Sequence, residues 1–343
     1  MSKVVVIEGS SPARTRLFAG RARGRFDIAA VAPSAGAAAS AEACRGAGVI
    51  VVAPGARLPA LQPGRVPDLI QLLECANESV DTLALGAQGI VVANVSAAVA
   101  THAAEFTVGL MIAAVCLNSG GRPSSRDQIV RLARDSAALA SLEGKAIGIL
   151  GLGRAGEQVA RLLKPTGAHL AYADIRTVPQ GLAPSLGLRR VTSDRLLATS
   201  DIVSLHIPHG PAASPFLRPR ELTLIGPATT LISISDARVI DLSALADAAS
   251  RGSPGQIALD IAPASQAAGR VATEKLRSLP NAIITNGTAS SSPEADEAAV
   301  DLAIENVQRA LAGQPAQSVM DTIDLPKSGD PAFWSSRMFP RQA

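Results

Sequence analysis

The chain has 343 residues, 47% of them hydrophobic and 18% charged, with a formal net charge of +3. That length suits two domains better than one core, and so much apolar material excludes a disordered chain. The basic balance raises the question of nucleic acid, but only five of the 32 basic residues are lysine. Arginine is this chain's usual cation, so the cluster Arg14, Arg16, Arg21, Arg23 and Arg25 reads as a solvated helix and no nucleic-acid partner is expected.

The opening "MSKVVVIEGS" is a short β-branched run, a first buried strand rather than a signal peptide. Strand-like runs recur at "GVIVVA", "LIQLLE" and "GIVVAN", separated by stretches of helical length, which marks a first α/β unit over residues 1–98. From Ala100 to Leu117 the chain is almost entirely apolar and predicts a long buried helix. Its apolar segment "FTVGLMIAAVCL" falls short of the roughly 20 residues a membrane span needs, so no membrane contact is expected and the protein reads as soluble and cytoplasmic. A polar loop, "NSGGRPSSRDQ", follows. Cys44, Cys75 and Cys116 are scattered without paired spacing, which argues against a disulfide framework and against a metal site.

A second α/β series begins at Ala146 with "AIGILG", "HLAYAD", "DIVSLHIP", "TLISIS", "QIALDI" and "AIITNG". From Ser291 a helical pattern places Ala299, Leu302, Ala303, Val307 and Leu311 on one face. The expected organisation is an α/β protein with a discontinuous substrate domain, residues 1–98 plus 291–343, interrupted by a nucleotide domain over 99–290. Within the second series Gly151, Gly153 and Gly156 form G-x-G-x-x-G between a strand and a helix. The glycines permit a tight turn, close approach of the backbone to a pyrophosphate, and packing of helix on strand, while the helix N-terminus offers amides to the phosphates. Asp174 ends the next strand eighteen positions on, where a carboxylate accepts the adenosine ribose hydroxyls. It would repel a 2′-phosphate, which favours NAD over NADP, and Arg176 weakens that preference.

With these motifs in order along almost the whole chain, the sequence resembles the D-isomer-specific 2-hydroxyacid dehydrogenases, the family that includes phosphoglycerate and formate dehydrogenases. The segments carrying the likeness are "GIVVANVSAAVATHAAEFTVGLM", "LEGKAIGILGLGRAGEQVARLLKPTGAHLAYAD", "SDIVSLHIPHG", "ATTLISISDARVIDLSAL", "IALDIAPASQ" and "LPNAIITNGTASSSPEA". The resemblance implies two Rossmann-like domains with parallel sheets, a cleft between them, and a homodimer. It also implies that Arg154 and Ala155 offer amides to the pyrophosphate. His206, Pro208, Ile234 and Ser235 would line the cofactor, and Asp260 would meet the nicotinamide carboxamide.

The family's catalytic positions hold other residues. Read without gaps, the arginine that holds the substrate carboxylate becomes Asp236, the glutamate becomes Ser265 and the acid/base histidine becomes Gly287. The glycine-rich loop that receives the carboxylate reads "ECANESVD", so Glu74, Cys75, Ala76 and Asn77 are the candidate substrate residues. Paired gaps would instead bring Arg238 to the arginine position. An aspartate facing a carboxylate at about 4 Å repels it by roughly 4 kcal/mol at an effective dielectric near 20. Loss of the acid/base removes about 10² to 10⁴ in rate.

His102 and His209 are candidates for a relocated acid/base. Each is open to the plainer reading of a packed or backbone-satisfied histidine. Asp236 is a candidate base if burial raises its pKa, and Glu74, Glu78 and Asp236 together would suit a cationic or neutral substrate. Cys75 reads as packing rather than as a nucleophile. Two functions stay open: an NAD-dependent oxidoreductase with a rebuilt active site, including one that uses NAD for elimination or isomerisation, and a catalytically silent NAD-binding sensor or scaffold. The tail beyond Leu325 carries Phe333, Trp334 and Phe339 and is expected either to cover the cleft or to pack on its own domain.

Overall fold

The computed structural model describes residues 3–9, 12–61, 66–75, 79–117, 141–207, 215–262 and 269–320. The polar loop after Leu117 and the aromatic tail lie outside them. The chain divides into two compact units, one made of Met1–Ala100 with Ser291–Pro326 and one that includes Thr101–Ser290. Each unit is an α/β fold with one parallel sheet.

In the first unit the strands are β1 (Val4–Ile7), β2 (Ile28–Val31), β3 (Val49–Val52), β4 (Leu69–Leu72) and β5 (Val91–Ala93), in the order β2-β1-β3-β4-β5. The runs VVVI and VIVV are buried throughout because a parallel sheet is covered on both faces. Val4 and Val6 face a layer holding Phe18, Ala299, Ala303 and Val307, while Val5 and Ile7 face Cys44, Leu85 and Ile90. The arginine-rich segment forms the helix Pro12–Ala22, and the structure corrects its reading as merely solvated. Arg14 is buried, its Nε 2.6 Å from Asp296 Oδ1 and its Nη1 donating to the Leu73 carbonyl at 2.9 Å. Arg21 pairs with Glu297 and Asp301. The acidic face of the helix Pro293–Leu311 therefore neutralises part of the basic cluster. Beyond that helix, Val319 bridges Ala93 in antiparallel sense and Met320 N donates to the Val92 carbonyl at 2.8 Å, which extends the β5 edge.

In the second unit the strands are β6 (Ala146–Leu150), β7 (His169–Ala173), β8 (Arg189–Arg190), β9 (Ile202–Leu205), β10 (Thr230–Ser233), β11 (Gln256–Asp260) and β12 (Ala282–Thr285). They lie in the order β12-β11-β10-β9-β6-β7-β8, with the order reversing between β6 and β9. Ligands of such sheets bind outside the carboxyl ends of the strands at that reversal.

The apolar helix runs over Ser96–Leu117, longer than the segment read from the sequence. By length and composition alone, its Ser96–Val115 stretch is sufficient to cross a membrane, which corrects the twelve-residue limit expected above. Half of that stretch is buried inside the protein, with Leu110, Met111 and Ala114 packed on Ile147 and Ile149.

Candidate functional site

The carboxyl ends of β6 and β9 meet at Gly151. Its φ is +90°, and a Cβ there would stand 2.5 Å from the His206 carbonyl oxygen. A Cβ on Gly156 would stand 2.1 Å from the Gly151 carbonyl oxygen. Glycine is needed at both places for a steric reason, because the turn is folded against its own helix and against the end of β9. The helix Arg154–Leu163 starts from Gly153 with no side-chain cap, which leaves the amides and positive dipole of its first turn, at Arg154 and Ala155, for an anion.

Asp174 follows β7, and its side chain is 5% exposed. Its Oδ2 accepts from Leu152 N at 2.7 Å and its Oδ1 from Arg176 N at 2.7 Å. The Arg176 guanidinium lies across both oxygens at 3.5 Å, and its Nη2 is 3.4 Å from where a Gly153 Cβ would be. Arg190, at the end of β8, donates from Nη2 to the Asp174 main-chain oxygen at 3.1 Å. The sequence reading found Asp174 and Arg176 but missed Arg190, which no local motif marks.

The end of β9 is stitched to the end of β10. Ile207 N donates to Ser235 Oγ at 3.0 Å, and Ser235 N donates to Ser233 Oγ at 3.2 Å, with Ile234 packed against the core between them. His206 Nε2 and Ser204 Oγ lie 2.8 Å apart. Burial pushes the His206 pKa down to about 4, so the ring is neutral at pH 7, and its Nδ1 is buried with no partner among the described residues. His102 stands well inside the helix Ser96–Leu117, and its Nδ1 is likewise buried and without a partner there. Pro208, His209 and Ser265 lie outside the described residues, so the acid/base expectation for His209 has no geometry to set against it.

After β10, Asp236 caps the short turn Ala237–Val239, its side chain accepting from Arg238 N at 2.9 Å. Arg238 returns to the same carboxylate in a two-armed pair, Nε to Oδ1 at 2.8 Å and Nη2 to Oδ2 at 2.6 Å. The arrangement is net neutral. As a general base Asp236 would have to leave it, and as an anion clamp Arg238 would have to do the same.

Asp260, at the end of β11, is buried and accepts from Gly287 N at 2.8 Å, Thr288 N at 3.0 Å and Ala289 N at 2.8 Å, and from the Thr285 hydroxyl. Most of its acceptor capacity thus holds the turn after β12. Gly287 sits in that turn with φ +71°, and a Cβ on it would meet Ala262 Cα at 2.7 Å and Ala262 Cβ at 3.0 Å. Ala262 fills the space that a side chain at 287 would need.

In the first unit, Glu74 Oε1 accepts from Gly55 N at 3.4 Å, and Asn94 Nδ2 donates to the Cys75 carbonyl at 2.8 Å. Cys75 is exposed, while desolvation, opposed by Arg14 and reinforced by Glu74, pushes its thiol up to about 11. Ala76, Asn77 and Glu78 lie outside the described residues. No cluster of three or more metal-ligating side chains occurs among the described residues.

A dinucleotide turn at the reversal of a seven-stranded parallel sheet defines a nucleotide-binding α/β protein. The family model for the D-isomer specific 2-hydroxyacid dehydrogenase NAD binding domain matches residues 108–289, more than half of the chain, and the chain belongs to that family. It is similar to D-3-phosphoglycerate dehydrogenase of Mycobacterium leprae, 31% identical over 243 residues that make up 69% of this chain and 44% of that protein. It is also similar to D-3-phosphoglycerate dehydrogenase of Methanocaldococcus jannaschii, 27% identical over 253 residues, 73% of this chain and 47% of the other. The chain spans just under half the length of these relatives. Among solved structures it resembles D-lactate dehydrogenase from Aquifex aeolicus, a complex with NAD and lactic acid, with a TM-score of 0.75 at 20% identity over 94% of this chain and 100% of that one.

Proposed function

We propose that the protein is a nicotinamide-dinucleotide-dependent oxidoreductase whose substrate chemistry has departed from that of its family. The dinucleotide lies on the turn of Gly151, Gly153 and Gly156, with the amides of Arg154 and Ala155 at the pyrophosphate and Asp174 at the adenosine ribose of NAD. His206, Ile234 and Ser235 border the nicotinamide half, and Asp260 offers its remaining acceptor site to the carboxamide.

The observation that carries the reading is Gly287, at the position the resemblance gives to the acid/base histidine. Its left-handed backbone and the proximity of Ala262 disfavour any side chain there, an imidazole included. Asp236 stands at the position of the family arginine already paired with Arg238, so an incoming carboxylate meets an arginine with both arms engaged. A net-neutral pair favours a neutral carbonyl over both a carboxylate and a cation. His102 is the proposed replacement proton carrier, since its buried Nδ1 has no partner among the described residues. The protein works as a homodimer in the cytoplasm. Light scattering that returned the 34.9 kDa of one chain would count against the dimer.

The same loss of an imidazole at 287 favours a second reading, a silent dinucleotide-binding sensor or scaffold. NADH oxidation followed across a panel of neutral, amine-bearing and carboxylate-bearing carbonyl compounds separates the two. Turnover on a neutral carbonyl supports the enzyme, whereas tight NADH binding with no turnover on any compound supports the silent protein.

A further inference from the structure

The carboxyl ends of β1, β3 and β4 in the first unit carry an arrangement that packing alone does not require. The order β2-β1-β3-β4-β5 reverses between β1 and β3, and parallel sheets bind their ligands outside the strand ends at such a reversal. The chain leaving β4, Leu73-Glu74-Cys75, opens the candidate substrate loop, and each of these residues is held from a different element. The Leu73 carbonyl accepts from Arg14 Nη1 at 2.9 Å, Glu74 Oε1 from Gly55 N at 3.4 Å, and the Cys75 carbonyl from Asn94 Nδ2 at 2.8 Å. The turn at Gly55 is itself pressed on the segment leading into the helix Pro12–Ala22, since a Cβ on Gly9 would stand 2.1 Å from the Pro54 carbonyl oxygen.

Of these three holders Arg14 carries the charge, and it is buried, with its Nε 2.6 Å from Asp296 Oδ1 in the first turn of the helix Pro293–Leu311. Apolar residues in place of a buried ion pair often join two elements equally well, so helix packing alone gives no reason for a guanidinium here. What an apolar side chain cannot do is hold a carboxylate with one arm and a loop carbonyl with another, which the rigid guanidinium fork does. Arg21 supplies the contrast within the same helix. It too joins the two helices, through Glu297 and Asp301, but both of its ion pairs lie on the helix Pro293–Leu311 and its side chain is about a third exposed. The charge of Arg14 also reaches the loop, since it draws the Cys75 thiol down against the desolvation that raises it.

We infer that Arg14 is a positioning residue for the substrate: its guanidinium, braced by Asp296, fixes the main chain at Leu73 and so sets where Glu74 and Cys75 stand when the substrate binds. All of these residues belong to the first unit. The inference takes their loop as the substrate side of the proposed oxidoreductase and rests on that reading.

The test compares Arg14→Lys with Arg21→Lys in the full-length protein, because lysine keeps the charge in both but does not span two acceptors. The first readout is the rate of Cys75 alkylation by iodoacetamide against pH, followed by peptide mass spectrometry. Desolvation is the largest cause raising that thiol, so a loosened loop moves the alkylation midpoint down, and the rate at pH 8 should rise about tenfold in Arg14→Lys and less than about twofold in Arg21→Lys. The second readout is steady-state kinetics on the neutral carbonyl compound that the wild type reduces fastest. There Arg14→Lys should raise KM about tenfold while kcat and NADH affinity change less than about threefold. Asp296→Asn, which leaves the Leu73 contact in place but removes its brace, should shift both readouts in the same direction by about threefold, and it carries the test if Arg14→Lys does not fold. An unchanged alkylation profile in Arg14→Lys, equal acceleration in both lysine variants, or an unchanged KM overturns the inference and leaves Arg14 as a tie between two helices. If the wild type turns over no carbonyl compound, the proposed oxidoreductase is refuted and the inference falls with it; if it turns over and only the Arg14→Lys outcomes fail, the inference falls alone.

Discussion

Placing an imidazole at position 287 is the most informative perturbation, because the structure says what it would meet. The backbone there has φ +71°, which costs an ordinary L-residue about 1 to 2 kcal/mol relative to glycine. The added Cβ would lie 2.7 Å from Ala262 Cα and 3.0 Å from Ala262 Cβ, an overlap with backbone that a rotamer change does not relieve. Overpacking of that kind costs about 1 to 3 kcal/mol. The sum for Gly287→His is about 3 kcal/mol, a melting decrease of roughly 6 to 12 °C for a unit of this size. Most of the loss enters with the first carbon, so Gly287→Ala should lose nearly as much as Gly287→His. Differential scanning calorimetry on both variants, with NADH oxidation against glyoxylate and pyruvate, reads the two consequences together. Wild-type stability in Gly287→Ala, or a gain of turnover in Gly287→His, would refute the argument that the turn has been rebuilt.

Three further outcomes are expected. Because the His206 pKa is lowered in the fold to about 4 against 6.5 unfolded, the unfolded chain binds the extra proton between those values, so stability is intact above pH 6.5 and declines toward pH 4. Urea denaturation at pH 7 and pH 5 should show the wild type losing about 2 kcal/mol more than His206→Gln, and parallel losses in the two proteins would disprove it. Asp296→Ala leaves Arg14 buried beside Leu73 without its carboxylate and should destabilise the first unit by about 2 kcal/mol, below the 3 to 5 of a fully buried pair because Asp296 is partly exposed. Chemical denaturation checks this, and a change under 0.5 kcal/mol would contradict it, within the range of an ordinary surface substitution. The buried Cys44 thiol, pushed up to about 11 chiefly by that burial, should resist iodoacetamide at pH 8 in the native protein and react in urea, as read by peptide mass spectrometry.

Much of the fold is legible in the sequence because buried parallel strands are written as unbroken β-branched runs such as VVVI and VIVV, and because Gly151 to Gly156 sit between a strand and a helix. The acidic end of β7 was equally readable from spacing. What the sequence hides is pairing across distance. Nothing local in "PARTRLFAGRA" says that Arg14 and Arg21 meet Asp296, Glu297 and Asp301 some 280 residues on. Nor does "RR" at the end of a two-residue strand announce a contact with Asp174. At the candidate site the identity of Asp236 is visible in sequence, but its neutralisation by Arg238 is a matter of turn geometry. Gly287 reads as a missing histidine, whereas the approach of Ala262 to that position is visible only in the fold.

In the proposed function, dinucleotide binding and the family's substrate chemistry are separated in this chain. A titration of NADH onto the purified protein, followed on the same sample by its steady-state oxidation with pyruvate, glyoxylate and hydroxypyruvate, separates the two. Saturable NADH binding is expected, with turnover on all three acids well below the roughly 1 s⁻¹ floor of ordinary enzymes. Turnover above that floor on any of them would contradict it and would mean that Arg238 leaves Asp236 to hold the substrate carboxylate.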